Sequence, residues 1–132
     1  MTGPADLYGL YAQHYDAGRA TDFAGLFTVD AVFRTGGVER ARGRAAIEEL
    51  ASAGFRRLPG IRHYVSSVAT SVDGDEATGG AYVSAVQLDA GLVPTPVTTG
   101  RYVDRFVRVD GRWLIDEHSF DPFPEPEVSD DA

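Results

Sequence analysis

The stretch "RHYVSSVATSVDGDEATGGAYVSAVQL", residues 62–88, decides the fold. Its β-branched and aromatic residues alternate with small or polar ones, and the Asp73-Gly74 pair divides it into two halves, as in a hairpin of two half-buried strands. The same period continues through "TTGRYVDRFVRV" (98–109) and "RWLIDEHSF" (112–120), which are joined by a second Asp-Gly turn at Asp110-Gly111. Four strands in an antiparallel meander are therefore expected. The middle junction, "DAGLVPTPV" (89–97), is longer, and its prolines Pro94 and Pro96 place it outside a central strand, as a candidate pocket rim.

Upstream the period changes. In "GPADLYGLYAQHYDAG" (3–18), Leu7, Leu10, Tyr11, His14 and Tyr15 recur at three- and four-residue spacing between Pro4 and Gly18, the pattern of a capped amphipathic helix. Shorter helices are expected in "TDFAGLF" (21–27) and "RAAIEELASAG" (44–54), separated by a hairpin that turns at Gly36-Gly37. Asp30 is read as ending the second helix and starting the next strand. Helices first and a long meander after them make an α+β domain in which the helices cover one face of a curved sheet. The interior of such a cone is where a small ligand would sit.

The chain has 132 residues, enough for one domain with its own core. Its net charge of -8 is concentrated at the end: the last twelve residues hold five acids and no base. We expect a single domain over 1–120 and a disordered acidic tail over 121–132. With no basic cluster, nucleic acid is not an expected partner. There is no cysteine, no secretory pattern in residues 1–20 and no apolar run near the roughly 20 residues that span a bilayer, so a soluble, cytoplasmic protein without membrane contact is expected. The three histidines, His14, His63 and His118, fall on separate elements, so no metal site is expected. Neither "TGG" (35–37 and 78–80) opens a helix as a phosphate loop must, so no cofactor is expected either.

The order and wording of "YAQHYDAG", "LFTVDAVFR", "GRAAIEEL", "RHYVSSVATSVDGDEATG" and "YVDRFVRVDGRWLI" resemble the SnoaL-like branch of the nuclear transport factor 2-like superfamily, over about residues 5–120. The resemblance implies a cystatin-like α+β barrel: N-terminal helices packed in a cone-shaped, strongly curved, antiparallel or mixed sheet. It also implies acid–base chemistry of polyketide cyclases, isomerases or dehydratases. Ketosteroid isomerase places two proton donors where Tyr11 and Asp104 fall, an arrangement that is itself a worked example of a tuned oxyanion hole; its general base is replaced here by Arg34 or Thr35. Scytalone dehydratase has a Tyr-Asp pair and a histidine where Tyr15, Asp16 and His63 fall, but its second histidine would lie near Gln87. The two aspartates of limonene epoxide hydrolase have no counterpart in "AYVSAVQL" (81–88).

The candidate catalytic set is thus His63, Asp16, Tyr15, Tyr11 and Asp104, with Phe33, Val65, Gln87, Tyr102 and Phe106 as substrate-binding residues. A histidine titrates near neutrality and suits proton transfer, although a strand histidine is equally at home as a satisfied core residue. The same duality holds for the two tyrosines, which share the apolar stripe of their helix. Asp104 alternates with Tyr102 and Phe106 and is expected to point inward, or else to sit on a rim paired with Arg101 or Arg105. His118, next to Glu117, is read as a surface residue. The expected partner is a small apolar carbonyl-bearing metabolite, and the alternative is a non-catalytic module that binds a hydrophobic ligand on the same fold. Apolar residues on the sheet face opposite to Asp104, namely Tyr82, Val86, Val103, Val107 and Leu114, point to a homodimer, as does the resemblance.

Overall fold

A computed structural model describes residues 3–124. The elements in chain order are α1 (Asp6–Asp16), α2 (Ala20–Ala24), β1 (Phe27–Thr35), β2 (Val38–Arg42), α3 (Arg44–Arg57), β3 (Ile61–Asp73), β4 (Glu76–Leu88), β5 (Pro94–Val109) and β6 (Arg112–Pro122). The expected α+β class holds.

Helix α1 buries Leu7, Tyr8, Tyr11 and Ala12; of the expected stripe, Leu10, His14 and Tyr15 are only half-buried. It ends as its glycine dictates: Gly18 adopts φ +72, its N–H bonds the Tyr15 carbonyl at 3.0 Å, and Arg19 N–H reaches the His14 carbonyl at 2.9 Å. Helix α2 is shorter than its sequence suggested. Phe27 starts β1 instead of ending the helix, and Asp30 lies inside that strand. The reason is non-local: β1 pairs in parallel with β6, and Ile115 N–H bonds the Leu26 carbonyl at 2.8 Å.

The four strands β3 to β6 form the expected antiparallel meander, and the parallel β1–β6 pair joins the N-terminal hairpin to it, giving the order β2-β1-β6-β5-β4-β3. Contrary to the sequence reading, Pro94 and Pro96 lie within β5, opposite Leu88 and Val86. They are tolerated because β6 reaches only as far as Gly100, where Pro122 is the partner. Among the described residues only Phe123 N–H reaches that edge of β5 before Gly100, at the Thr99 carbonyl, so the prolines have no ladder partner on that side.

The concave side of the sheet holds the core. Ala77, Ala81 and Ala85 on β4 are each at most 4% exposed. Their small side chains leave the space that the rings of Tyr8, Tyr11, Phe27, Tyr102 and Phe106 fill. On the convex side Tyr64, Tyr82 and Val103 are 59%, 46% and 47% exposed. Leu114 pairs with Val107, on the face opposite Phe106 as expected, but at 8% exposure it adds nothing to an exposed patch; the register shift between Arg105 and Phe106 turns Ile115 inward instead. Val86 and Val107 are half-buried. Strand β6 runs through Pro122, so the expected boundary at residue 120 falls inside a strand. The expected disorder of residues 125–132 lies outside the described residues.

Candidate functional site

Asp16 ends α1, where a carboxylate meets the unfavourable end of the helix dipole. Its compensation lies on β3. Asp16 Oδ2 accepts the backbone N–H of His63 at 2.7 Å, and Oδ1 stands 2.7 Å from His63 Nδ1. Because a carboxylate oxygen can only accept, Nδ1 is the donor to Asp16, and in the neutral ring the lone pair is then on Nε2. Tyr15 meets the His63 ring edge to face at 4.9 Å, and Tyr11 does so at 6.3 Å. Room for the Tyr15 hydroxyl comes from Gly54 on α3, where a methyl group would stand 2.1 Å from the hydroxyl oxygen.

These residues open onto a cavity of about 480 Å³, lined by Tyr11, Tyr15, His63, Tyr102, Phe33 and Phe120 among others. Burial pushes the Tyr11 and Tyr102 hydroxyls well above the ordinary tyrosine range; the hydroxyl contact between them raises Tyr11 further and partly offsets the rise at Tyr102, and the Asp104 charge raises both. Tyr15 is also raised by burial, against an opposing pull from the Arg57 charge. All three stay protonated at any working pH and act as O–H donors. The cavity lining therefore combines one imidazole, on His63, with several hydroxyl donors.

A second carboxylate–imidazole pair lies beneath this cavity. Asp104 on β5 and His118 on β6 are directly opposite in the register, and His118 Nδ1 is hydrogen-bonded with Asp104 Oδ1. Tyr8 donates its hydroxyl to Asp104 Oδ2 at 2.6 Å. Asp104 and His118 are 2% and 1% exposed. The surface reading of His118 is thus corrected. Its polar neighbours "DE" and "S" hide a period-two alternation that places it inward with Phe120. Asp104 points inward as expected, but its partners are His118 and Tyr8 rather than an arginine, and it does not reach the cavity. Gly79, opposite Asp104 on β4, makes this possible: a Cβ there would meet the Tyr8 hydroxyl at 2.9 Å. The His118 ring packs against Tyr11 at 4.9 Å, Phe33 at 4.8 Å and Tyr102 at 4.7 Å, three residues that line the cavity from its other side. Its Nε2 has no hydrogen-bond partner among the described residues.

Of the remaining expected residues, Phe33 and Tyr102 line the cavity, while Val65, Gln87 and Phe106 do not. Val65 packs against the core. Gln87 turns its amide to the Pro59 carbonyl at 2.8 Å. Phe106 lies under Tyr8, edge to face at 5.8 Å. Sequence reasoning missed Tyr8, although it stands three residues before Tyr11 on the same helical face. It also missed Arg40 and Arg57, which line the cavity. Among the described residues no three His, Cys, Asp or Glu side chains are placed to hold a metal ion, and no helix is long and apolar enough to cross a membrane.

Residues 5–118 match the SnoaL-like domain. The chain belongs to the SnoaL-like family. Among solved structures, this SnoaL-like chain is 28% identical to Rv3472 of Mycobacterium tuberculosis, a protein of unknown function, with a TM-score of 0.81 over 96% of this chain and 82% of the other. A nuclear transport factor 2-like protein with a cystatin-like fold from Novosphingobium aromaticivorans matches at 22% identity and TM-score 0.83, over 92% and 80% of the two chains. A provisionally assigned scytalone dehydratase from the same species matches at 23% identity and TM-score 0.78, over 94% and 85%. These last two likenesses establish the fold alone. No functionally curated protein matches the sequence.

Proposed function

We propose that this SnoaL-like protein is an acid–base enzyme, an isomerase or lyase, that acts on a small, largely apolar, carbonyl-bearing metabolite of the polyketide type and uses only its own side chains. The observation that carries the reading is the His63–Asp16 pair, whose imidazole lines an aromatic cavity beside the protonated hydroxyls of Tyr11 and Tyr15. His63 Nε2 takes the acidic proton from the carbon next to the carbonyl, and the Asp16 carboxylate stabilises the imidazolium that forms. Tyr11 and Tyr15 donate hydrogen bonds to the oxygen that gains charge. The enolate then takes the proton back at another carbon, expels a β-hydroxyl that leaves as water, or attacks a second carbonyl to close a ring. Asp104, held by Tyr8 and His118, supports the Tyr11 wall from below.

The test is solvent exchange with a panel of aryl β-diketones and hydroxylated tetralones in deuterated buffer, read by mass spectrometry. Enzyme-dependent deuterium uptake at the carbon next to the carbonyl is expected. Ligands that bind without exchange would make the protein a binding module instead.

We also propose that the chain is a homodimer joined through the convex sheet face that carries Tyr64, Tyr82 and Val103. An exposed apolar patch on an ordered sheet is most simply covered by a second copy. Light scattering over a dilution series should return twice the chain mass of 14.2 kDa. A mass that stays at the single-chain value would refute the dimer, and Tyr82→Glu should split it.

A further inference from the structure

The cavity-lining residues include two arginines and no aspartate or glutamate. In a chain of net charge -8 this is against the general trend. Of the ten other arginines, Arg34, Arg42, Arg105 and Arg108 each hold a carboxylate, at 3.2, 2.6, 3.4 and 2.8 Å, and Arg44 and Arg62 bond backbone carbonyls. Arg40 and Arg57 are exposed, and neither makes an ion pair or a side-chain hydrogen bond among the described residues.

Each of the two is aimed at the cavity by a separate device. In the β1–β2 ladder Phe33 faces Ala41 and Arg34 faces Glu39, so Arg40 is the extra residue of a bulge. Bulges re-aim side chains, and this one places Arg40 on the cavity lining beside Thr35. An arginine on an edge strand also discourages sheet-to-sheet pairing, but that role asks for charge, not for a direction into a cavity. Arg57 closes α3 together with Arg56. The helix dipole accounts for both being basic. It does not account for their division: Arg56 bonds Ser52 Oγ at 2.7 Å, whereas Arg57 lines the cavity close enough for its charge to oppose the burial effect on the Tyr15 hydroxyl.

We propose that Arg40 and Arg57 bind a carboxylate of the substrate, so that the metabolite is an aromatic or polyketide-like keto acid. It lies with its anionic end on the two guanidinium groups, its ring against Phe33, Tyr102 and Phe120, and its carbonyl toward His63. Two planar guanidinium forks match the oxygens of one carboxylate, which explains why arginine serves here. The orientation toward His63 rests on the acid–base reading above; the anion site does not.

The probes are 1-hydroxy-2-naphthoate and its uncharged amide, titrated into the full chain and followed by calorimetry. The acid should bind at least tenfold more tightly than the amide at 50 mM salt, and its affinity should fall with added sodium chloride while that of the amide does not. Arg40→Gln combined with Arg57→Gln should abolish the preference at unchanged melting temperature, since both side chains are exposed. Naphthyl phosphate serves as a third arm, and a phosphate preferred over the carboxylate tenfold or more would reassign the anion. Equal binding of acid and amide, no acid binding at millimolar concentration, or a preference that survives in the double variant each overturns the proposal. His63→Ala should keep the acid preference. Unmutated protein that shows the acid preference without any exchange would fail the acid–base reading alone, whereas exchange without the preference would fail this one alone.

Discussion

His63→Ala lowers the rate of enzyme-dependent proton exchange by at least about 100-fold, the lower end of what a positioned general base supplies. Binding of the amide probe should change little, because the ring is one wall among several aromatic ones. Asp16→Asn is expected to cost a comparable factor by a different route. An asparagine amide can donate to Nδ1 and so favour the imidazole with its proton on Nε2, where the base must be bare. It would also no longer stabilise the imidazolium with a full charge. The two variants are measured by deuterium uptake alongside a thermal melt. A His63→Ala protein that exchanges at more than a tenth of the wild-type rate would end the case for His63 as the base. One complication is built into Asp16: its Oδ2 also holds the His63 backbone N–H, so part of any effect is positional. His63→Ala and His63→Gln both leave that backbone bond in place and so report on the ring alone.

The second large effect falls on stability. Asp104→Ala leaves His118 and the Tyr8 hydroxyl buried without a partner, and breaking a buried pair of this kind costs about 3–5 kcal/mol. His118→Ala should cost a similar amount by leaving the buried carboxylate with Tyr8 as its one remaining donor among the described side chains, and it adds a cavity against Phe33, Tyr11 and Tyr102. Tyr8→Phe removes only the donor to Oδ2 and should cost about 1–3 kcal/mol. Urea unfolding at unchanged m-value is the measurement. The decisive comparison is the double variant Asp104→Leu with His118→Leu: replacement of both partners by apolar groups is often tolerated, so it should be less destabilised than the sum of the two single changes. Strict additivity, or a near-wild-type midpoint for Asp104→Ala, would show that the pair is not coupled.

Local pattern carried most of the fold. The Asp-Gly turns and the period-two runs of β3 to β6 are written in adjacent residues, and so is the capped helix α1. What escaped the sequence depends on partners far along the chain. Phe27 leaves its helix because β6 lies beside it, and Pro94 and Pro96 enter β5 because β6 stops short of them. His118 turns inward within a charged stretch, where its neighbours speak for the surface. The site divided in the same way. Tyr15, Asp16 and His63 were legible through the family resemblance, and the structure brings all three together. Asp104 was rightly placed inward, but its partner was hidden because a cross-strand pairing is not visible in either strand alone. Arg40 depends on a bulge, and Val65, Gln87 and Phe106 on details of register that a single sequence does not state.

Helix α1 carries a tyrosine for the buried pair at Tyr8, the ring between the two imidazoles at Tyr11, and both Tyr15 and Asp16 for the pair at the cavity. Tyr8 and Tyr15 are seven residues apart, about two turns or 10 Å along the axis. The helix therefore works as a calliper with one jaw on β5 and the other on β3. A single residue inserted between Tyr8 and Asp16 would turn one jaw by about 100° relative to the other and release one pair whichever was kept. The spacing within α1 is fixed by two obligations at once, whereas its length before Leu7 is fixed by neither. Drift at the cavity end cannot be absorbed without loosening the core.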